Sequence, residues 1–355
     1  MNNKRKLLII LVLIILFIVV TIFGLYCFYL SPVSHDKELR EITIESGSSS
    51  RKIGEILDSE NIIKNDKFFI LYLKINRIND LKAGTYKLSE SMSLKEIVKV
   101  LREGSNYNPN SITIIFKEGI NFRDIARVID NNTINTYDDV LNTLKDKDYL
   151  KSLISDYWFI TEDILDSNIY YPLEGYLFPD TYEFSSEEVS VHEIFKKLLD
   201  QMNMILTPYK EEIEKSSFSV HELLTLASIA EKEVNKPSDR SNVISVFLNR
   251  MDRKMSLGSD VTTRYGLKLD EVRALTKKEY NERNAYNTRN VNMLGLPASP
   301  ISTISKDSII ASLSNKETDY LYFISNIETD ETFFFSKSSD FEKKKNELSK
   351  VNKGY

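Results

Sequence analysis

The chain has 355 residues, 42% hydrophobic and 28% charged, which is material for one large or two to three smaller cores. A net charge of -5 leaves no basic footprint for nucleic acid. The lone Cys27 excludes an intramolecular disulfide and a cysteine metal site; the histidines form no zinc-protease pair, because Lys196 and Thr225 stand four residues after His192 and His221.

Residues 1–6 form a short basic tail, with Lys4, Arg5 and Lys6 before an almost unbroken apolar run from Leu7 to Leu30. That run is long enough to cross a bilayer as a helix. The basic flank predicts a cytoplasmic N-terminus, with everything after Ser31 outside. A cleavable signal peptide is the rival, but Phe28-Tyr29-Leu30-Ser31-Pro32 offers no small-x-small site, so a permanent single-pass anchor is favoured.

Residues 40–105 read as a small α+β module. Ile42-Thr43-Ile44 alternates like a strand, Gly47 and three serines turn the chain, and Ile53, Ile56 and Leu57 mark a helix. A second unit follows in Gly84–Leu88 and a helix capped by Ser93 and closed at Gly104. A third, related pattern runs from Ile112–Phe116 through Gly119 to Phe122, Ile125, Val128 and Ile129. Residues 106–168 are expected to connect the module to a second domain over 169–345, with a Lys-rich tail over 346–355. Trp158 is expected to be packed.

The segment Tyr170–Phe184 holds two prolines and a glycine among aromatics and acids, so it is not one helix. Its aromatics suit a carbohydrate groove or a loop that buttresses the core. Farther on, Phe218–Val234 announces a helix: Ser219 caps it, Glu222 completes a capping box, and Phe218 with Leu223 can form a hydrophobic staple. Its apolar residues share one broad arc, with Glu231 and Glu233 on opposite flanks and Lys232 pointing away. A carboxylate at a mostly buried face must be paired, hydrogen-bonded or protonated. Rim ion pairs and a general acid both satisfy that condition, and the helix does not choose between the two glutamates. A helix over Asn242–Met251, a loop or short turn over Asp260–Gly266, and a polar loop stiffened by Gly295–Ile301 follow. A helix after Ser305 and a hairpin across 326–331 complete the pattern.

Six motifs occur in order: Leu173–Tyr182, Leu226–Glu233, Val246–Arg250, Asp260 with Tyr265-Gly266, Tyr286–Thr288, and Gly295–Ile301. Together they resemble the endolytic murein transglycosylase (YceG-like) family over nearly all of the chain beyond the anchor. Lys82–Tyr86 and the first module resemble that family's LysM-like subdomain. The resemblance implies an α+β protein with a single N-terminal transmembrane helix, a LysM-like α+β subdomain and a mixed α/β catalytic domain. It implies a membrane-anchored lyase of cell-wall biogenesis or degradation that cuts peptidoglycan strands internally and requires no metal or cofactor. By the resemblance Glu231 is catalytic. Glu174, Asn249, Tyr265, Asn287 and Thr288 become candidates for substrate binding, with Asp180 as a further helper. Penicillin-binding synthases are the implied partners, beside the glycan and the membrane.

Two-carboxylate glycosidases place their carboxyls roughly 5–9.5 Å apart across the scissile bond. Glu231 and Glu233 cannot form that pair, since residues i and i+2 diverge on a helix. One carboxyl suffices where the nucleophile belongs to the substrate: Glu231, protonated in an apolar setting, would donate to the glycosidic oxygen and then deprotonate the muramyl 6-hydroxyl. A peptidoglycan-binding scaffold and a hydrolase pairing Glu231 with Glu174 or Asp260 are the rivals. Serine acyl transfer is disfavoured, because Ser49-x-x-Lys52 has no Lys-Thr-Gly after it.

Overall fold

A computed structural model describes residues 3–105, 108–270, 273–314, 316–349 and 351. Met1 and Asn2 of the expected N-terminal tail, and most of the C-terminal tail after residue 349, lie outside the described residues. The chain forms two compact units, residues 1–111 and 112–355. Helix and sheet are mixed, as expected.

The first unit comprises α1 (Asn3–Leu30), β1 (Arg40–Ile44), α2 (Ser50–Ser59), α3 (Asp66–Ile75), β2 (Gly84–Leu88) and α4 (Leu94–Glu103). Among the described residues, Ile10–Leu30 is the one helix long and apolar enough to cross a membrane, with mean hydropathy 3.1. The strands β1 and β2 pair antiparallel, with Ile42 opposite Tyr86. Strand alternation sends Ile42, Ile44, Tyr86 and Leu88 inward against Leu57, Phe69, Leu73, Ile97 and Leu101. Side-chain caps from Ser49, Asn65 and Ser93 start the three helices after α1. Helix α3 is absent from the periodicity because Phe68–Leu73 is a continuous apolar run without a clear helical spacing.

The second unit contains β3 (Ile112–Ile115), α5 (Phe122–Asn132), α6 (Tyr137–Thr143), α7 (Lys147–Asp156), β4 (Thr181–Phe184), α8 (Val191–Leu206), α9 (Lys210–Lys215) and α10 (Val220–Glu233). It continues through α11 (Pro237–Asp252), α12 (Asp260–Gly266), α13 (Lys277–Tyr280), α14 (Lys306–Leu313), β5 (Tyr322–Asn326), β6 (Glu331–Phe335) and α15 (Ser338–Leu348). The third strand–helix pattern therefore belongs here and not with the first module: β3 pairs with β4, Ile114 opposite Tyr182. Residues 112–168, expected as a connector, contribute Phe122, Ile125, Ile129, Leu150 and Phe159 to the core of this unit. No local pattern reveals a strand partner so distant in sequence.

Helix α10 begins as its sequence predicts, with Ser219 and Glu222 forming a capping box. Leu223, Leu224 and Ala227 enter one hydrophobic cluster while Leu226, Ile229 and Ala230 enter another. The helix is thus a shared wall between two cores. Asp260–Gly266 is a helix and not a loop: burial of Thr262, Thr263 and Tyr265 overrides the weak helix preference of its β-branched residues. The hairpin β5–β6 forms across the predicted turn, and α11 starts at Pro237, five residues before the expected position.

The aromatics of 170–184 are mostly core. Tyr176 is fully buried, and Tyr182 and Phe184 are nearly so. Their role is to buttress the fold. Gly175 adopts φ +79°, and a Cβ there would lie 2.3 Å from the Cβ of Pro300. The backbone approach between the Leu173–Tyr182 and Gly295–Ile301 motifs therefore requires glycine. Trp158 is packed as expected, with its indole N–H donating to Asn203 Oδ1 at 3.0 Å.

Candidate active site

The two glutamates of α10 have separate surroundings, as the helical wheel predicts. Glu231 faces α11 and α14. Its Oε1 accepts from Arg240 Nη2 at 2.7 Å, and its Oε2 accepts from the Ser305 N–H (3.0 Å), Ser305 Oγ (2.5 Å) and Ser308 Oγ (2.8 Å). Both side chains of the Glu231–Arg240 pair are 5% exposed. Arg240 Nη1 also donates to Ser305 Oγ at 2.6 Å. Ser305 caps α14, so that helix presents its N-terminal end to the carboxylate, where the backbone dipole favours negative charge. The expected apolar setting is thus corrected: a guanidinium and three hydrogen-bond donors surround this carboxyl.

A second carboxyl shares its field. Glu118, in the turn between β3 and α5, is on the surface, yet its carboxyl is pushed up by partial desolvation and by Glu231, with Asp307 adding and Arg240 opposing. Neighbouring Gly119 has φ +71°, and a Cβ placed on it would stand 3.9 Å from Glu231 Cγ. That turn is tied to the site by Lys232 Nζ, which donates to the Gly119 carbonyl at 2.8 Å. Thr303 bonds the same turn through the N–H groups of Gly119 and Ile120.

Glu233 lies on the opposite flank and accepts from Ser259 Oγ at 2.5 Å. Burial pushes its carboxyl up to about 7, with Ser259 opposing and Asp260 adding. Asp260 pairs with Arg289 at 2.6 Å, so it belongs to this flank and not to the surroundings of Glu231.

The five expected substrate-binding residues spend their polar atoms inside the protein. Glu174 is wholly buried: Oε2 accepts from the Phe122 N–H and Tyr265 Oη, both at 2.9 Å, and Oε1 has no partner. Asn249 donates to the carbonyls of Thr318 and Tyr320, pinning the chain before β5. Asn287 donates to the carbonyls of Glu279, Tyr280 and Glu282 and accepts from Thr263 Oγ1. Thr288 Oγ1 accepts from the Ser259 N–H and bonds Thr262 Oγ1. These arrangements shape loops; motif membership in the sequence does not separate such anchoring from contact with a ligand. Arg240, Ser305, Ser308 and Glu118 escaped the sequence reading, although Ser305 was visible as a helix cap.

Burial holds the Glu174 carboxyl up at about 8, against the two donors on it. The folded state therefore keeps a proton that the unfolded chain releases near 4.3. Stability contributed by this group falls as pH rises through that window and levels off above about 8. Glu174→Gln keeps an acceptor for Phe122 and Tyr265 but does not titrate. Its stability relative to the parent is expected to increase from pH 5 to pH 8 in urea unfolding; parallel pH curves would count against the buried protonated carboxyl.

The YceG-like family pattern matches residues 42–347. The chain belongs to the YceG-like family. It is 36% identical over 297 residues to the endolytic murein transglycosylase of Bacillus subtilis (strain 168), covering 83% of this chain and 81% of that protein. The corresponding Streptococcus pneumoniae protein (serotype 2, strain D39) is 30% identical over 322 residues, which span 87% of this chain and 58% of that protein. The crystal structure of a YceG-like protein from Listeria monocytogenes superposes with TM-score 0.62 at 35% identity, covering 87% of this chain and 99% of that one. Within the YceG-like pattern lie both flanks of α10 and the Glu118 turn.

Proposed function

We propose that this YceG-like chain is a membrane-anchored endolytic murein transglycosylase with Glu231 as its acid and base. The observation that carries the assignment is the constellation around Glu231, a carboxyl fixed by Arg240, Ser305 and Ser308 inside a chain similar to enzymes of that name. A carboxylate offers about four lone-pair sites. Three donors occupy Oε2 and one occupies Oε1, so Oε1 is the oxygen with room for the transferred proton.

In this reading Glu231, a carboxylate in its pair with Arg240, first takes up a proton from solvent on Oε1 and then gives it to the oxygen between N-acetylmuramic acid and N-acetylglucosamine as the bond to C1 breaks. The muramyl 6-hydroxyl attacks C1, its proton passes to Glu231, and a 1,6-anhydro ring closes the strand end. The same residue acts in both directions, and the ring closure consumes no water. Arg240 and the serines hold the rotamer, a preorganisation that keeps the carboxyl aligned. Glu174, Asn249, Tyr265, Asn287 and Thr288 act on substrate through the loops that they position. The β1-α2-α3-β2 order of the first unit supports a LysM-like, glycan-facing subdomain. With the N-terminus in the cytoplasm, the chain after about Ser31 stands outside the membrane beside the synthases that make new strands.

Mass spectrometry of glycan fragments released by the full chain tests this assignment. Ends in 1,6-anhydro-muramic acid support it, and strands that bind but stay intact leave a scaffold. Reducing ends support a second reading, hydrolysis with two carboxylates, which the shared field of Glu118 and Glu231 favours. Glu118→Gln separates the two: transglycosylation by one carboxyl keeps most of its rate, whereas a hydrolase that uses Glu118 as its base falls by about 10²-fold or more.

A further inference from the structure

The outer face of α3 has no role in the site. At about 100° per residue, Lys74, Lys67, Leu71, Ile75 and Phe68 fall on one arc, opposite the buried Phe69 and Leu73. Leu71 and Ile75 are 42% and 59% exposed, and the two lysines border them on one side. An exposed apolar pair with a basic border is the pattern of a helix that lies in a membrane interface. The end of α1 meets this face: Tyr29 stacks on Phe68 with ring centroids 3.9 Å apart. Lys64 Nζ donates to the Phe28 carbonyl at 3.1 Å and lies over its ring.

We infer that the outer face of α3 rests on the bilayer surface around α1, with Leu71 and Ile75 in the headgroup–acyl boundary and the bordering lysines on anionic lipid headgroups. The occupant is the bilayer itself, because the apolar face is continuous with the aromatic end of the spanning helix and its border is cationic. The inference rests on α1 being a membrane span.

Full-length protein is reconstituted in vesicles of phosphatidylcholine, with or without phosphatidylglycerol, that carry shallow nitroxide lipids. One sample bears bimane on the native Cys27, and another on Leu71→Cys in a Cys27→Ser background. The expected result is lipid quenching at both positions, with the position 71 signal stronger in anionic vesicles and several-fold weaker after Lys67→Glu with Lys74→Glu. Both lysines are exposed, so the charge change leaves the core untouched. Quenching at Cys27 but water-like, lipid-insensitive emission at 71 would overturn the inference while keeping the span. No lipid quenching at either position would overturn the span as well. Concentration-dependent shielding at 71 without lipid quenching would mean a second copy covers the face, which also overturns it.

Discussion

Glu231→Gln is expected to reduce glycan cleavage by about 10²–10⁴-fold, the range that a positioned acid–base group supplies. The substitution is nearly isosteric, but it replaces an acceptor oxygen with an NH2 group in a ring of donors. Either orientation of the amide sets N–H against Arg240 or against the serines. A stability loss of about 1–3 kcal/mol therefore accompanies the activity loss, and the rate is to be normalised to folded protein by a thermal melt. Glycan fragments with anhydro ends are the readout. Retention of more than a tenth of the parent rate by fully folded Glu231→Gln would remove Glu231 from the reaction.

Arg240→Ala is expected to be the most destabilising single change near the site. It leaves the Glu231 carboxylate and Ser305 Oγ without the guanidinium in surroundings where both ion-pair partners are 5% exposed. Removing one member of a buried ion pair typically costs about 3–5 kcal/mol, because the other charge stays uncompensated. For a unit of this size that is a drop in melting temperature on the order of 10 °C. Arg240→Ala in a Glu231→Gln background removes both charges. The double variant is expected to be more stable than the sum of the single losses predicts, as coupling within one network requires. Additive losses, or an unchanged melt for Arg240→Ala, would show that the pair does not hold α10 to α11.

The sequence states helix α10 almost completely, because its cap, its apolar arc and the divergence of its glutamates are local properties. Ser219 bonds Glu222, and Glu231 and Glu233 face different partners. Arg240 was not legible as a partner of Glu231: nine residues and a helix boundary separate them. Ser305 and Ser308 are more than seventy residues away, and folding alone brings them to Oε2. The same reason hides β3 from β4. Asn287 and Thr288 stand in a recognisable motif, yet their total burial makes them internal ties. Composition marks a polar loop but does not say which side of it meets solvent.

Helix α10 belongs to two hydrophobic clusters at once. A protein with two cores can in principle open one of them while the other persists. Here such a partial opening would strip one side of the helix that carries Glu231 and loosen its hold on Arg240 and α14. The two clusters are joined through the helix that ends in the glutamate, so a half-opened second unit loses the ordered carboxyl. If Glu231 is the reacting group, the consequence is an all-or-none site: a chain with either core still open has no ordered carboxyl with which to cleave glycan.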